Sequence, residues 1–223
     1  LFNQDKNILV IAKDKDTAKN LVTKVRIMYA NLPQWLKTKV IEDNKLSLVF
    51  QNGSQIKAVA ATAEAGRSEA LSLLVIDEAA FIDKIDSIWT AAQQTLATGG
   101  DCIALSTPNG VGNWFHQQWM GAVDGSNNFN TIKLHWTCHP ERDDAWRAEQ
   151  DKVLGPSQAA QECDADFLTS GESVVDPQIL SWYKENQVCE PVEKLGVDNN
   201  LWIWEQPDYT KEYIVVADVA RGD

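Results

Sequence analysis

The sequence predicts an α/β domain built on a largely parallel sheet. Three observations carry that expectation. Short, almost wholly apolar runs such as Asn7–Ala12 read as strands covered on both faces. The segments between them space their apolar residues as helices do. One strand run ends in the adjacent acids Asp77 and Glu78, the sort of group found at the carboxyl edge of an open α/β sheet.

In chain order, Asn7–Ala12 is the first strand. Residues 16–30 place Leu21, Val22, Val25, Met28 and Tyr29 on a helical stripe, which Asn31-Leu32-Pro33 stops. Residues 46–50 and 55–61 flank Asn52-Gly53 and predict a hairpin. Residues 71–76, broken only by Ser72, predict a central strand; 87–96 a helix, 102–106 another buried strand, and 113–123 a helix after Asn109-Gly110. Composition shifts near residue 138. Residues 140–167 are polar and helical, with Asp144 as the expected cap of a helix over 145–154 and Gly155-Pro156 as its break. Residues 170–211, with Gly171, Pro177, Pro191, Gly196 and Pro207, have the profile of a connecting subdomain. The chain halts on Ile214-Val215-Val216-Ala217-Asp218, an apolar strand that has just delivered a carboxylate. Such an end, like a start almost directly on a core strand, is expected of an internal segment of a longer polypeptide.

Composition narrows the function classes. Among 223 residues, 20 Lys and Arg face 32 Asp and Glu, a net charge of −12. This balance argues against coating nucleic acid, because phosphate binding is driven by basic side chains. Neither a membrane-spanning run nor a signal-peptide pattern is present. Cys102, Cys138, Cys163 and Cys189 are widely spaced with no C-x-x-C pair, which fits reduced thiols rather than a zinc knuckle. His135 and His139 lack the pairwise ligand spacing of a zinc site. The nine tryptophans are expected mostly in the core and at subdomain contacts.

The most informative stretch is Leu73-Leu74-Val75-Ile76-Asp77-Glu78. Four hydrophobics followed by two acids form a Walker-B pattern. Asp77 is positioned to hold Mg²⁺ and Glu78 to polarise the water that attacks a γ-phosphate. Neighbouring strand residues point to opposite faces, so the two acids are expected to do different work. The next strand ends in Ser106-Thr107-Pro108-Asn109-Gly110. In additional-strand P-loop ATPases that position carries a γ-phosphate sensor, although a plain turn gives the same residues. No G-x-x-x-x-G-K-[ST] phosphate cradle occurs, and Lys13 and Lys15 do not replace it, having no glycine loop beside them.

Together these residues resemble the large terminase subunit of tailed phages, the ATP-driven motor that packages DNA into procapsids. Residues 61–68 followed by 73–83 are similar to that family's arginine-containing loop and Walker B. Ser106–Gly110 is similar to its coupling motif. Trp136, Pro140-Glu141-Arg142, Gln161-Glu162, Phe167 and Ser170-Gly171 resemble the stretch closing its ATPase domain, and residues 211–223 resemble the opening strand of its RNase H-like nuclease. The resemblance implies a P-loop NTPase core over 1–138, a small helical and linker subdomain over 139–210, and the start of the nuclease over 211–223. It further implies ATP and Mg²⁺ as ligands, Asp77 and Glu78 as the ATPase acids, Thr107, Pro108 and Asn109 as coupling residues, and Arg67 facing phosphate or DNA. Asp218, and more loosely Asp223, would hold Mg²⁺ or Mn²⁺ in the nuclease. The implied partners are double-stranded viral DNA, the portal protein, the small terminase subunit and further copies in a ring docked on the procapsid, in the host cytoplasm. Two other readings stay open on the sequence. One is a superfamily-2-type helicase core, since Asp77-Glu78-Ala79-Ala80 resembles that class's D-E-A-D. The other is a fragment that binds partners and turns nothing over.

Overall fold

Along β1 (Asn7–Ala12), alternate side chains enter two different cores. Leu9 and Ile11 pack on one side of the sheet, Val10 and Ala12 on the other. Burial on both faces is the reason this strand reads as a continuous apolar run. The computed structural model describes residues 2–62, 65, 70–97, 99–168 and 177–214. β1 lies between β4 (Gln55–Ala60) and β5 (Leu73–Asp77), parallel to both. β6 (Asp101–Leu105) runs parallel to β5 and ends the sheet among the described residues. At the other side β3 (Ser47–Phe50) pairs antiparallel with β4, and β2 (Val40–Asn44) with β3, giving the order β2-β3-β4-β1-β5-β6. The expected α/β class with a mostly parallel sheet is therefore what the chain forms.

Helices cover both faces. α1 (Lys15–Ala30) buries Ala18 and Val22 against Val10, Ala12 and Ala58, and Asp14 caps it by accepting from the Thr17 N–H at 2.8 Å. α2 (Ile85–Leu96) and α3 (Trp114–Asp124) bury Ile88, Ala92, Trp114 and Phe115 against Leu74 and Ile76. The helix predicted over 113–123 thus forms and joins the core through Trp114 and Phe115. Gly100 lets β6 approach β5 closely: a Cβ there would stand 2.2 Å from the Leu71 carbonyl oxygen. Beyond α3, α4 (Asp144–Leu154), α5 (Pro156–Ala159) and a π-helical turn (Ala160–Asp164) follow.

Three details differ from the sequence expectation. β2 was absent from it, because Val40-Ile41-Glu42-Asp43-Asn44 is mostly exposed and takes its strand form from pairing with β3. The cap of α4 is Asp143, whose carboxylate accepts from the Trp146 N–H at 2.7 Å, while Asp144 is already inside the helix. Tryptophan burial is also lower than expected. Trp114 and Trp136 are buried, but Trp35 is 82% exposed, and Trp182, Trp202 and Trp204 are about half exposed.

Contacts divide the chain into Leu1–Pro177 and Gln178–Asp223. In the second unit α6 (Pro177–Asn186) runs from the division. A small antiparallel pair then forms between β7 (Glu193–Leu195) and β8 (Leu201–Ile203), with Lys194 Nζ 4.6 Å from the Trp202 ring centroid. Among the described residues no helix is long and apolar enough to cross a membrane.

Candidate functional site

β5 and β6 deliver their carboxyl ends side by side, with Asp77 opposite Leu105 in register. Asp77 is the last residue of β5 and half-buried. Glu78 leaves the strand in the left-handed region, at φ 54° and ψ 43°. Glu78 therefore stands outside the strand, where the alternation of strand faces expected from sequence no longer applies. A non-glycine residue held there costs on the order of 1–3 kcal/mol, and such conformations gather at functional sites. Desolvation first, then the neighbouring charges of Asp77 and Glu162, hold the Glu78 carboxyl above its ordinary range, and Lys13 partly offsets them.

The loop after β6 is tied to this turn. The Ser106 hydroxyl accepts from the Ala80 N–H at 3.2 Å, and Asn109 Nδ2 donates to the Ala80 carbonyl at 3.2 Å. Both backbone groups of Ala80 are therefore held by one loop, and the Phe81 N–H closes the turn onto the Glu78 carbonyl at 2.9 Å. Asn113 Nδ2 in turn donates to the Asn109 carbonyl at 2.8 Å, fixing the loop to the start of α3. Pro108 is buried, and Thr107 and Asn109 stand on either side of it. Beside the loop opens a cavity of ≈ 460 Å³, lined among others by Ser106, Thr107, Pro108, Trp119, Glu162 and Phe167. A second cavity, ≈ 300 Å³, draws its walls from Lys6 and Ile8 at the amino end of β1, so it belongs to the opposite edge of the sheet.

The π-helical turn also contacts the loop. Gln161 Nε2 donates to the Pro108 carbonyl at 2.6 Å, and Thr107 Oγ1 lies 3.5 Å from Glu162 Oε1. The turn is anchored by Arg147, which grips Asp164 through Nε at 2.9 Å and Nη2 at 2.6 Å and reaches Asp151 at 2.6 Å. Those bonds hold the Asp164 carboxyl below its usual range.

Residues 1–197 match the family described as "Terminase large subunit, T4likevirus-type, N-terminal". The chain belongs to the terminase large-subunit family. Solved structures agree on the fold. The large terminase ATPase domain of Thermus phage P74-26 is similar at TM-score 0.54 and 21% identity, over 74% of this chain and 78% of that one. The large terminase of a thermophilic bacteriophage is similar at TM-score 0.59 and 12% identity, over 74% of this chain and 42% of that one. That same protein in complex with ATP-gamma-S gives TM-score 0.57 and 11% identity, over 74% of this chain and 41% of that one. Membership in the terminase family sets aside the helicase reading.

The residues singled out from sequence fare unequally. Asp77, Glu78, Thr107, Pro108 and Asn109 come together at the β5 and β6 ends, as their spacing required. Arg67, Asp218 and Asp223 lie outside the described residues. Sequence reasoning assigned no contact to Lys13, Ala80 or Ser106. It noted Gln161 and Glu162 only as part of a terminase-like block, because nothing local in a helix reveals a carbonyl 53 residues away.

Proposed function

We propose that this chain supplies the acid pair and the coupling loop of the ATP-hydrolysing domain of a motor that drives double-stranded viral DNA into procapsids. The observation that carries the reading is the acid pair at the end of β5, gripped through Ala80 by the loop from the adjacent strand. The fold shared with terminase ATPase domains supports it, as does the thermophilic-phage terminase having been solved with ATP-gamma-S.

In this reading Asp77 holds Mg²⁺ and Glu78 orients and polarises the attacking water. The donor set fits the ion. Mg²⁺ keeps most of its waters and takes one or two carboxylates plus phosphate oxygens, and Asp77 offers a half-buried carboxylate at the sheet edge. Bound there, Mg²⁺ would offset phosphate charge. Glu78 is half-buried at the turn, and its raised carboxyl suits a group that must accept a proton. Thr107, Pro108 and Asn109 form the loop that transmits the state of the phosphate to the rest of the domain. Arg67 is assigned to phosphate or DNA on its terminase-like loop alone.

In a polypeptide carrying this chain with a phosphate-binding loop, Glu78→Gln keeps shape while removing the charge. Turnover should fall ~10²–10⁴-fold with nucleotide binding retained. Near-normal hydrolysis by that variant would refute the role of Glu78.

We further assign residues 139–210 to the subdomain closing the ATPase and 211–223 to the start of an RNase H-like nuclease, where Asp218, with Asp223 as a weaker candidate, binds Mg²⁺ or Mn²⁺. This rests on sequence resemblance. Asp218→Ala in a protein with the whole nuclease should abolish DNA cleavage and spare ATP hydrolysis; unchanged cleavage would leave Asp218 a strand terminus only. The partners follow from the same reading: viral DNA, the portal protein, the small terminase subunit and further copies in a ring, docked on a procapsid in the host cytoplasm.

A further inference from the structure

We propose that Gln161, assisted by Glu162, is a positioning residue for ATP turnover: the π-helical turn holds the Ser106–Gly110 loop against the backbone that carries Glu78. The inference rests on the ATPase reading above and adds to it a mechanical support outside the acid pair.

Four observations converge. Gln161 Nε2 reaches the Pro108 carbonyl at 2.6 Å, the shortest bond made to that loop among those described. The loop in turn holds both backbone groups of Ala80, two residues past Glu78. Glu78 sits in a left-handed conformation that persists only if its surroundings over-determine it. Finally, the turn bearing Gln161 has a fixed base. Arg147 forks onto Asp164, Ala160 and Cys163 are buried, and Phe167 packs 5.0 Å from the His116 ring and 5.9 Å from that of Trp119.

The π-helical geometry has a use here. In a regular helix, residues three apart share a face. Here Gln161 meets the loop while Asp164 meets Arg147, so one turn holds two separate partners. Such turns are rare and recur at functional sites. The chain of contacts runs from Arg147 through Asp164, Gln161, Pro108 and Asn109 to Ala80 and Glu78. Loosening its middle would displace the acid without touching it, and a displacement of about 1 Å near a reacting centre costs ~10²-fold in rate.

The test compares three substitutions in a polypeptide that carries this chain with a phosphate-binding loop. Gln161→Leu and the nearly isosteric Gln161→Glu both remove the N–H donor. Each should lower kcat by ~10- to 10²-fold with KM changed by less than about threefold. Gln161→Lys keeps a donor of similar reach and should restore most of kcat. Should Gln161→Leu fold poorly, Gln161→Glu carries the comparison. In the 223-residue chain, hydrogen exchange at the Ala80 N–H should quicken in Gln161→Glu, with α1 amides unchanged. If kcat stays within about twofold for Gln161→Glu while Glu78→Gln has lost turnover, the positioning role is wrong and the ATPase reading stands. If Glu78→Gln hydrolyses ATP normally, both fall. A parallel loss of kcat in Gln161→Lys would reduce Gln161 to a packing residue and overturn the proposal.

Discussion

Glu78 concentrates the cost of this site in one residue. Its backbone is left-handed at φ 54°, its carboxylate is partly desolvated beside Asp77, and neither feature stabilises the fold. Glycine enters the left-handed region freely, so Glu78→Gly should stabilise the 223-residue chain by about 1 kcal/mol while removing the carboxylate proposed to polarise the attacking water. Urea denaturation reads this directly. A destabilised Gly variant would mean that contacts of the Glu78 side chain outweigh its strain. Stability given up at a functional position is the common pattern in enzymes.

At the scale of elements, the α4-to-π-turn segment is held by a charged fork instead of a broad apolar face. No residue of α4 is buried, and Arg147 is its link to Asp164. The Arg147 bonds, as the largest cause, depress the Asp164 carboxyl. A depressed folded value means stabilisation that is complete above the unfolded value, near pH 4, and lost as pH falls through the folded one. Asp164→Asn should therefore cost about 1–2 kcal/mol at neutral pH and flatten the acid-side decline of the melting temperature below about pH 4. Thermal melts across that range check it; an unchanged acid limb would show that other carboxylates set it. The α4 cap is a smaller lesson at this scale. Asp143 and Asp144 are equally good capping residues in sequence, and the choice between them fell to where the chain turns after Arg142.

For the whole molecule, the sheet order decides what can meet. β1 is central, β5 stands on its acid-bearing side, and β6 ends the described sheet with Ile103 51% and Leu105 44% exposed. Phosphate capture needs a ring of backbone N–H donors and a lysine, and the sequence contains no G-x-x-x-x-G-K-[ST] to supply them. The purified 223-residue chain should accordingly hydrolyse ATP at no more than background rate. Robust Mg²⁺-dependent hydrolysis would reveal a phosphate site of another kind. The acidic net charge of −12 places any DNA-facing function on local patches instead of overall attraction.

The sequence by itself determined the fold class, the strands that are buried on both faces and the placement of Asp77 and Glu78 at a strand end. The loop at 106–110 after the next strand was legible too, but that strand, expected to be buried, ends the described sheet with Ile103 and Leu105 exposed. These features depend on periodicity, turn residues and apolar runs, which act over a few neighbouring positions. Its four well-separated blocks were enough to resemble the terminase family to which the chain belongs. Only the tertiary structure decided that β1 lies at the centre, that Val40–Asn44 becomes a strand, and that Glu78 turns left-handed out of β5. It also decided that one loop holds Ala80 and is itself held by Gln161. The physical reason is range. A strand's partner, a loop's acceptor and a residue's left-handed backbone are fixed by atoms tens of residues away, which leave no local pattern in the chain.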